Sequence, residues 1–401
     1  MKQFFKAIKV TDNVYWVGAI DWSVRDFHGY ATSRGTTYNA FLIMADKITL
    51  IDTVKKPFKD ELLARIASVI DPSKIDYIVS LHSEMDHSGC LPDVIDVVKP
   101  EKVFTSKMGV PTLNAHFHNG LELTPVKNGE AIDLGNLTLR CLDTKMLHWP
   151  ESMVAYLEED KMLFSQDAFG MHLATMERFD DEIAVDIMHD EAAKYFANIL
   201  MLYAPKVKAT LKSLGESGLQ FDIIAPDHGP VWRDNPGRIM DWYNKWTAQD
   251  YTRKAVVMYD TMWQSTDLMA RVLAEGLREG GACVKLLPLG AAHRSDVATE
   301  VLEAGALIVG SPTLNNNIFP TVADALTYLK GLRPKNLVGA SFGSYGWSGE
   351  SIKQMFGFLE GMGIEMVGDN RVKYVPDEDT LKGCYELGLA VAQKLMEKLE
   401  T

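Results

Sequence analysis

L-H-S-E-M-D-H-S-G, Leu81 to Gly89, follows directly on the apolar run Ile75, Tyr77, Ile78 and Val79. It packs His82, Glu84, Asp86 and His87 into six positions. The preceding run has the length and composition of a buried strand, so the cluster sits where a strand gives way to a loop. Side chains at i, i+2 and i+4 of an extended segment point the same way, which aims His82, Glu84 and Asp86 at one point. The loop then turns His87 toward a neighbouring point. Imidazole and carboxylate groups together bind divalent transition metals, and carboxylates without cysteine favour iron or manganese over structural zinc. Any one of these residues alone would pass for a solvated strand end. Four within six positions read as a metal site.

Three further candidates stand at strand ends: His148 in M-L-H-W-P, Asp167 in F-S-Q-D-A-F-G and His228 in A-P-D-H-G-P. Glycine and proline around them shape the loops and remove bulk near a metal. With the first cluster they make seven ligands, enough for two metals sharing a carboxylate bridge. Trp149, His172 and Tyr195 lie beside ligands or on a helix expected to cover the site, and are candidates to orient them. His28, His116, His118, His189 and His293 are given no functional role.

Around these points the first 250 residues alternate strands and helices. Val14 to Ile51 is strand-rich, a helix from Lys59 stops at Asp71-Pro72, and one long helical region spans Glu191 to Leu214. A Trp-rich amphipathic stretch, Tyr243 to Arg253, marks the boundary, predicting domains over residues 1–250 and 251–401. Beyond it K-A-V-V-M-Y-D, C-V-K-L-L-P-L, A-L-I-V-G-S-P, N-L-V-G-A-S-F-G and a fifth run near Glu365 alternate with helices. Five such units predict a doubly wound parallel sheet of flavodoxin type, whose ligands sit beyond the carboxyl ends of its strands.

Three loops there are unusual. Thr261, Met262, Trp263, Gln264, Ser265 and Thr266 place hydroxyls and free N–H groups at a helix N-terminus, a place suited to phosphate. They lack the nucleotide-binding G-x-x-x-x-G-K-[ST] pattern. The second loop is Ser311, Pro312, Thr313, Leu314, Asn315, Asn316 and Asn317. The third, Ser341, Phe342, Gly343, Ser344, Tyr345, Gly346, Trp347 and on to Gly349, admits a planar ring close to its glycines and can stack Tyr345 and Trp347 on it. No G-x-G-x-x-G fingerprint follows the first strand of this half, which argues against a resident NAD.

Composition limits the alternatives. The chain has 401 residues, room for two or three domains, with 47% hydrophobic and 24% charged residues. A net charge of -13 argues against nucleic acid and anionic membrane surfaces as partners. No apolar stretch is long enough to span a bilayer, and the N-terminus has no signal-peptide core. The four cysteines form no C-x-x-C pair, which suits a reduced cytoplasm and excludes a rubredoxin-type iron centre on this chain.

The pattern H-x-E-x-D-H, then a later His, Asp and His, resembles the metallo-β-lactamase fold, an αββα sandwich. Hydrolases of that fold usually read H-x-H-x-D-H, and Glu84 replaces the second His. With that substitution, and with three loops that resemble the phosphate and isoalloxazine loops of flavodoxins, the whole chain resembles the flavodiiron proteins, diiron domain first and no further module. The resemblance implies two irons, one held by His82, Glu84 and His148 and the other by Asp86, His87 and His228, with Asp167 bridging. It implies non-covalent FMN, a small electron donor such as rubredoxin, and reduction of dioxygen to water or nitric oxide to nitrous oxide. It implies a head-to-tail homodimer that sets one subunit's FMN beside the other's irons. A zinc hydrolase with a flavodoxin tail and a non-catalytic flavin electron carrier are the rival readings; Glu84 argues against the first and the seven-ligand set against the second.

Overall fold

Adjacent residues on the early strands face opposite ways, and both faces are apolar: Leu42 and Ile43, Leu50 and Ile51, Ile78 and Val79, Val103 and Phe104. A strand with two apolar faces is stable only when both are covered. In the computed structural model, which describes residues 4–118 and 120–400, both are. Strands Ile8–Lys9, Val14–Trp16, Phe41–Ile43, Thr49–Ile51, Tyr77–Ser80, Lys102–Ser106 and Thr124–Val126 form one sheet in that order. Pairing is antiparallel up to Thr49–Ile51 and parallel after it. Leu42, Leu50, Ile78 and Val103 pack under Leu62, Ile66, Leu91, Val94 and Leu113 of the overlying helices. Ile43, Ile51, Val79 and Phe104 instead meet Leu139, Cys141, Ala155 and Phe164 of a second sheet.

That second sheet orders strands Ala131–Asp133, Thr138–Asp143, Met153–Leu157, Met162–Gln166 and Ile223–Pro226, with only the last pair parallel. Two sheets face to face with helices outside make the αββα sandwich of the metallo-β-lactamase fold. Within each sheet the strands that carry metal-ligand candidates are paired in parallel: Tyr77–Ser80 with its two neighbours, and Met162–Gln166 with Ile223–Pro226.

Two local expectations change. The segment after His82 is not extended throughout, because Met85–Ser88 closes one helical turn behind Glu84. Ser88 Oγ donates to the carbonyls of Ser83 (2.8 Å) and Glu84 (2.9 Å), which ties the turn down. Asp86 and His87 therefore leave successive positions of a turn. The single helix expected over Glu191 to Leu214 is broken into Val185–Tyr195, a π-helical turn Phe196–Leu200, a 3-10 turn Met201–Tyr203 and Ala204–Glu216. Pro205 has no N–H to continue the ladder and is suited to opening the new helix.

The C-terminal sheet has the order Cys283–Pro288, Lys254–Tyr259, Ala306–Gly310, Val338–Tyr345, Glu365–Lys373, all parallel. This is the flavodoxin-type 2-1-3-4-5 arrangement, with its switch point between the first and third strands. Helices Ser265–Glu279 and Glu378–Leu399 cross at glycines: a Cβ on Gly276 would lie 2.1 Å from the Tyr385 carbonyl oxygen.

By contact the chain divides into one unit of Met1–His28, Thr32–Tyr195 and Pro205–Asn244, and another of Gly29–Ala31, Phe196–Ala204 and Lys245–Thr401. The short segments join the second unit through specific bonds: Asn198 Nδ2 donates to the Ser295 carbonyl (3.2 Å), and the Ala31 amide to Ser295 Oγ (3.2 Å). Among the described residues no helix is long and apolar enough to cross a membrane.

Candidate metal centre and flavin cleft

Each metal-ligand candidate leaves the end of a strand whose apolar residues fix the backbone, and nearby polar groups hold the loop that follows. Asp52 Oδ1 accepts from the Leu81 amide (2.8 Å), just before His82, and Glu151 Oε1 accepts from the Ser83 amide (3.1 Å), just after it. Gln166 serves two loops at once. Its Oε1 accepts from the Asp167 amide (2.8 Å), and its Nε2 donates to the carbonyl of Leu147, beside His148.

The seven side chains converge, and Asp167 stands between two groups of three. Asp167 Oδ2 lies 2.7 Å from His148 Nε2 and 3.5 Å from His82 Nε2. Asp167 Oδ1 lies 3.4 Å from both His87 Nε2 and His228 Nε2. Glu84 Oε2 joins the first side, 3.0 Å from His148 Nε2 and 3.9 Å from His82 Nε2. Asp86 Oδ2 joins the second, 3.3 Å from His87 Nε2 and 3.2 Å from His228 Nε2. Ligands about 2.1 Å from one metal at tetrahedral to octahedral angles are separated by about 3.0–3.4 Å, and most of these spacings fall there or a little beyond.

The hydrogen-bond account points the same way. Both ring nitrogens of His82, both oxygens of Asp86, and Asp167 Oδ1 are buried with no hydrogen-bond partner among the described residues. Orphaned polar atoms are rare in protein interiors, and so many in one place fit cations held among them. His228 shows how a ring is set: its Nδ1 donates to the Thr37 carbonyl (2.6 Å), leaving Nε2 to face Asp86 and Asp167.

Of the orienting candidates, His172 shares the Thr36 hydroxyl with His228, at 2.8 Å and 3.2 Å. Tyr195 is buried, its ring 5.1 Å from that of His172 and 6.0 Å from that of His228. Trp149 is half-buried, 6.4 Å from the His148 ring. Three residues escaped the sequence reading. His28 Nε2 lies 2.9 Å from Glu84 Oε1, with its side chain 70% exposed; no motif surrounds it, so nothing local announced it. Asp52 ends the strand-like run K-I-T-L-I-D, and Asp227 stands inside A-P-D-H-G-P, where His228 drew the attention.

Acidic neighbours shape the titration of the metal-free site. Burial opposes the charged form of His82, but Asp167 outweighs it and the ring is pushed up to about 9. His148 is likewise desolvated, yet Asp167 and Glu84 raise it to about 10. In His172 burial and the neighbouring His228 act together and hold the ring well below its ordinary range. His87 is desolvated too, yet Asp86 and Asp227 hold it well above its ordinary range. Metal must displace the protons on His82, His148 and His87, so loading metal-free protein with ferrous or zinc ion near pH 7.5 is expected to release about three protons per chain. The raised values of His82 and His148 stabilise the metal-free fold fully below the unfolded value near about 6.5, and that contribution disappears as pH rises through about 9 and 10. The metal-free midpoint temperature should therefore fall between pH 7 and 10 while metal affinity rises; pH-stat titration and thermal scans check both.

In the C-terminal unit a cavity of about 540 Å³ opens beyond the carboxyl ends of the strands, at the switch point. Met262, Trp263 and Ser265 line it from the first loop, Pro312 to Asn316 from the second, and Ser344 to Trp347 from the third. Ser348 of the third loop also lines it, and Tyr374 and Val375, which follow the fifth strand, complete the wall without having been foreseen. Trp263 and Trp347 are 90% and 86% exposed and supply flat apolar faces at the rim.

Other loop residues support the wall from behind. Thr266 Oγ1 bonds Ser344 Oγ (3.0 Å), Ser311 Oγ accepts from the Phe319 amide (2.9 Å), and Asn317 pairs with Leu314 in a small hairpin. Ser341 and Phe342 are buried, Gly343 passes against the Ser311 carbonyl, and Gln264 turns the chain at φ +68° before the helix. The Thr261 hydroxyl is buried with no hydrogen-bond partner among the described residues, a donor suited to a phosphate oxygen. The size, flat walls and free donor fit FMN.

The family described as ODP family beta lactamase matches residues 36–229, and the flavodoxin family matches residues 257–388. A nitric oxide reductase of Moorella thermoacetica is 44% identical over 97% of this chain and 99% of its own. The chain belongs to the flavodiiron proteins. The structure of rubredoxin oxygen:oxidoreductase from Desulfovibrio gigas superposes with a TM-score of 0.97 at 45% identity, covering 99% of this chain and 100% of that one. A flavodiiron protein from Giardia intestinalis gives a TM-score of 0.94 at 32% identity, covering 99% and 98%. Membership makes this flavodiiron protein an oxidoreductase whose cofactors are FMN and a diiron centre. Neither the zinc hydrolase nor the simple flavin carrier is consistent with it.

Proposed function

We propose that this flavodiiron protein reduces dioxygen to water, nitric oxide to nitrous oxide, or both, drawing electrons through FMN from a rubredoxin-like donor in the cytoplasm. The observation that carries the reading is Asp167, with one carboxylate oxygen turned to each group of three ligands. His82, Glu84 and His148 would hold one iron, Asp86, His87 and His228 the other, and Asp167 would join them. Held by these seven side chains, the two irons would supply the redox chemistry and the room for a small diatomic substrate. The protein's part is to keep those seven groups in place and the pocket closed to bulk water. All seven except His148 are buried, and His148 is half-buried.

The names of two relatives, nitric oxide reductase and rubredoxin-oxygen oxidoreductase, support both substrates and the donor. Free thiols on all four cysteines suit a reducing compartment. The head-to-tail homodimer is part of the same reading and rests on the family resemblance. The deciding experiment is iron and flavin content, followed by anaerobic stopped-flow reoxidation of the reduced protein by oxygen and by nitric oxide. About two irons and one FMN per chain with fast reoxidation is expected, and the faster oxidant names the substrate. Zinc in place of iron, with flavin oxidising no faster than free FMN, would overturn the proposal.

A further inference from the structure

Asp227 has no place among the seven ligands, yet it is buried at the back of both metal-facing groups. Its Oδ2 lies 3.6 Å from His82 Nδ1 and 3.7 Å from His87 Nδ1. Those two nitrogens and that oxygen are all buried, and none has a hydrogen-bond partner among the described residues. Three orphaned polar atoms, two donors and one acceptor with two lone pairs, can satisfy one another. A small tilt of each ring brings both within hydrogen-bond reach. The backbone that carries the carboxylate is held on both sides: the Asp227 amide donates to the Gln166 carbonyl (2.9 Å), and its carbonyl accepts from the Asn39 amide (2.7 Å).

The two rings belong to different sides of Asp167. His82 faces Oδ2 of Asp167, while His87 faces Oδ1. Histidine ligands usually find a separate acceptor each, as His228 does in the Thr37 carbonyl. We propose that Asp227 is a positioning residue shared by both metal sites, its one Oδ2 atom accepting the Nδ1 protons of His82 and His87 and so turning both Nε2 atoms toward metal. Because one oxygen serves both rings, disturbing it disturbs both metals together. The same bond raises the basicity of both rings as ligands and ties the two sites mechanically through one rigid atom. The proposal rests on the ligand assignment given under the proposed function.

The test is Asp227→Leu, which keeps the approximate size but offers neither ring an acceptor. Metal-free wild-type and variant protein, each retaining FMN, are titrated with cobaltous ion, and visible absorption of the cobalt is recorded. Both cobalt affinities should fall, each by about 10- to 100-fold, with altered cobalt spectra at both sites. An unaltered thermal midpoint of the metal-free form would separate this from general damage. Loss at one site only, or unchanged binding at both, would overturn the proposal. Asp52→Asn is the comparison, since an amide oxygen still accepts from Leu81, and its effect should be smaller at both sites. Should the Asp227 variant fail to fold, histidine nitrogen NMR on zinc-loaded wild-type protein decides. Protected Nδ1 protons on both His82 and His87 are expected, and a bare or freely exchanging Nδ1 on either sinks the idea. Wild-type protein that binds fewer than two metals would refute the ligand assignment instead, a separate result.

Discussion

Asp167→Asn protein is expected to keep its FMN and fold but to lose at least one of its two irons, with turnover down roughly a thousand-fold, the equivalent of about 4 kcal/mol. Asp167 is buried and meets ring nitrogens of four histidines, two from each of its oxygens, between 2.7 and 3.5 Å. An amide has one oxygen to offer, so its NH2 must face one of the two groups and repel a cation there. The backbone is spared, because the Asp167 amide still donates to Gln166 and the new side chain is the same size. Elemental analysis and oxygen- or nitric-oxide-consumption assays check this directly. Two tightly held irons with turnover near wild type would mean that the carboxylate does not bridge.

Gly343→Val should have the opposite signature: irons retained, FMN lost. The third cleft loop passes the second so closely that a Cβ on Gly343 would lie 2.0 Å from the Ser311 carbonyl oxygen and 3.0 Å from its carbon. Both are backbone atoms and cannot swing aside. The loops must part, moving Pro312 and Ser344 away from the cavity they line. Overpacking of this kind costs about 1–3 kcal/mol, so FMN should bind at least about fivefold more weakly. Acid-released flavin per chain measures it, and full flavin occupancy would show that the loops tolerate separation. The two variants also probe the dimer. An equal mixture, allowed to exchange subunits, should recover about a quarter of wild-type turnover if flavin and irons pair across a head-to-tail interface. Recovery of nothing would favour pairing within one chain.

These expectations draw on different depths of the chain. Strand ends, and the ligand types placed on them, were legible because an apolar run that stops at a polar cluster is a local event. So it was with Tyr77–Ser80 before His82, Met162–Gln166 before Asp167 and Ile223–Pro226 before His228. The alternation after residue 253 likewise announced a parallel sheet and the three loops at its carboxyl end. Local reading failed where a turn depended on distant groups. The stretch after His82 looked extended and instead closes a turn. The helical region around Tyr195 looked continuous, and Pro205 divides it.

The sequence by itself determined which residue types stand at the strand ends and which loops crown the C-terminal sheet, because strand length, burial pattern and turn chemistry act over a few neighbouring residues. Only the tertiary structure decided which side of Asp167 each histidine faces, that His28 reaches Glu84, that Tyr374 and Val375 wall the cleft, and that Asp227 lies behind His82 and His87 at once. Those relations join residues dozens to more than a hundred positions apart. At the metal centre they exist because two sheets pack through one apolar core, and in the cleft because the strands of the C-terminal sheet pack through another; side-chain direction at such distances is set by that packing rather than by anything adjacent in the chain.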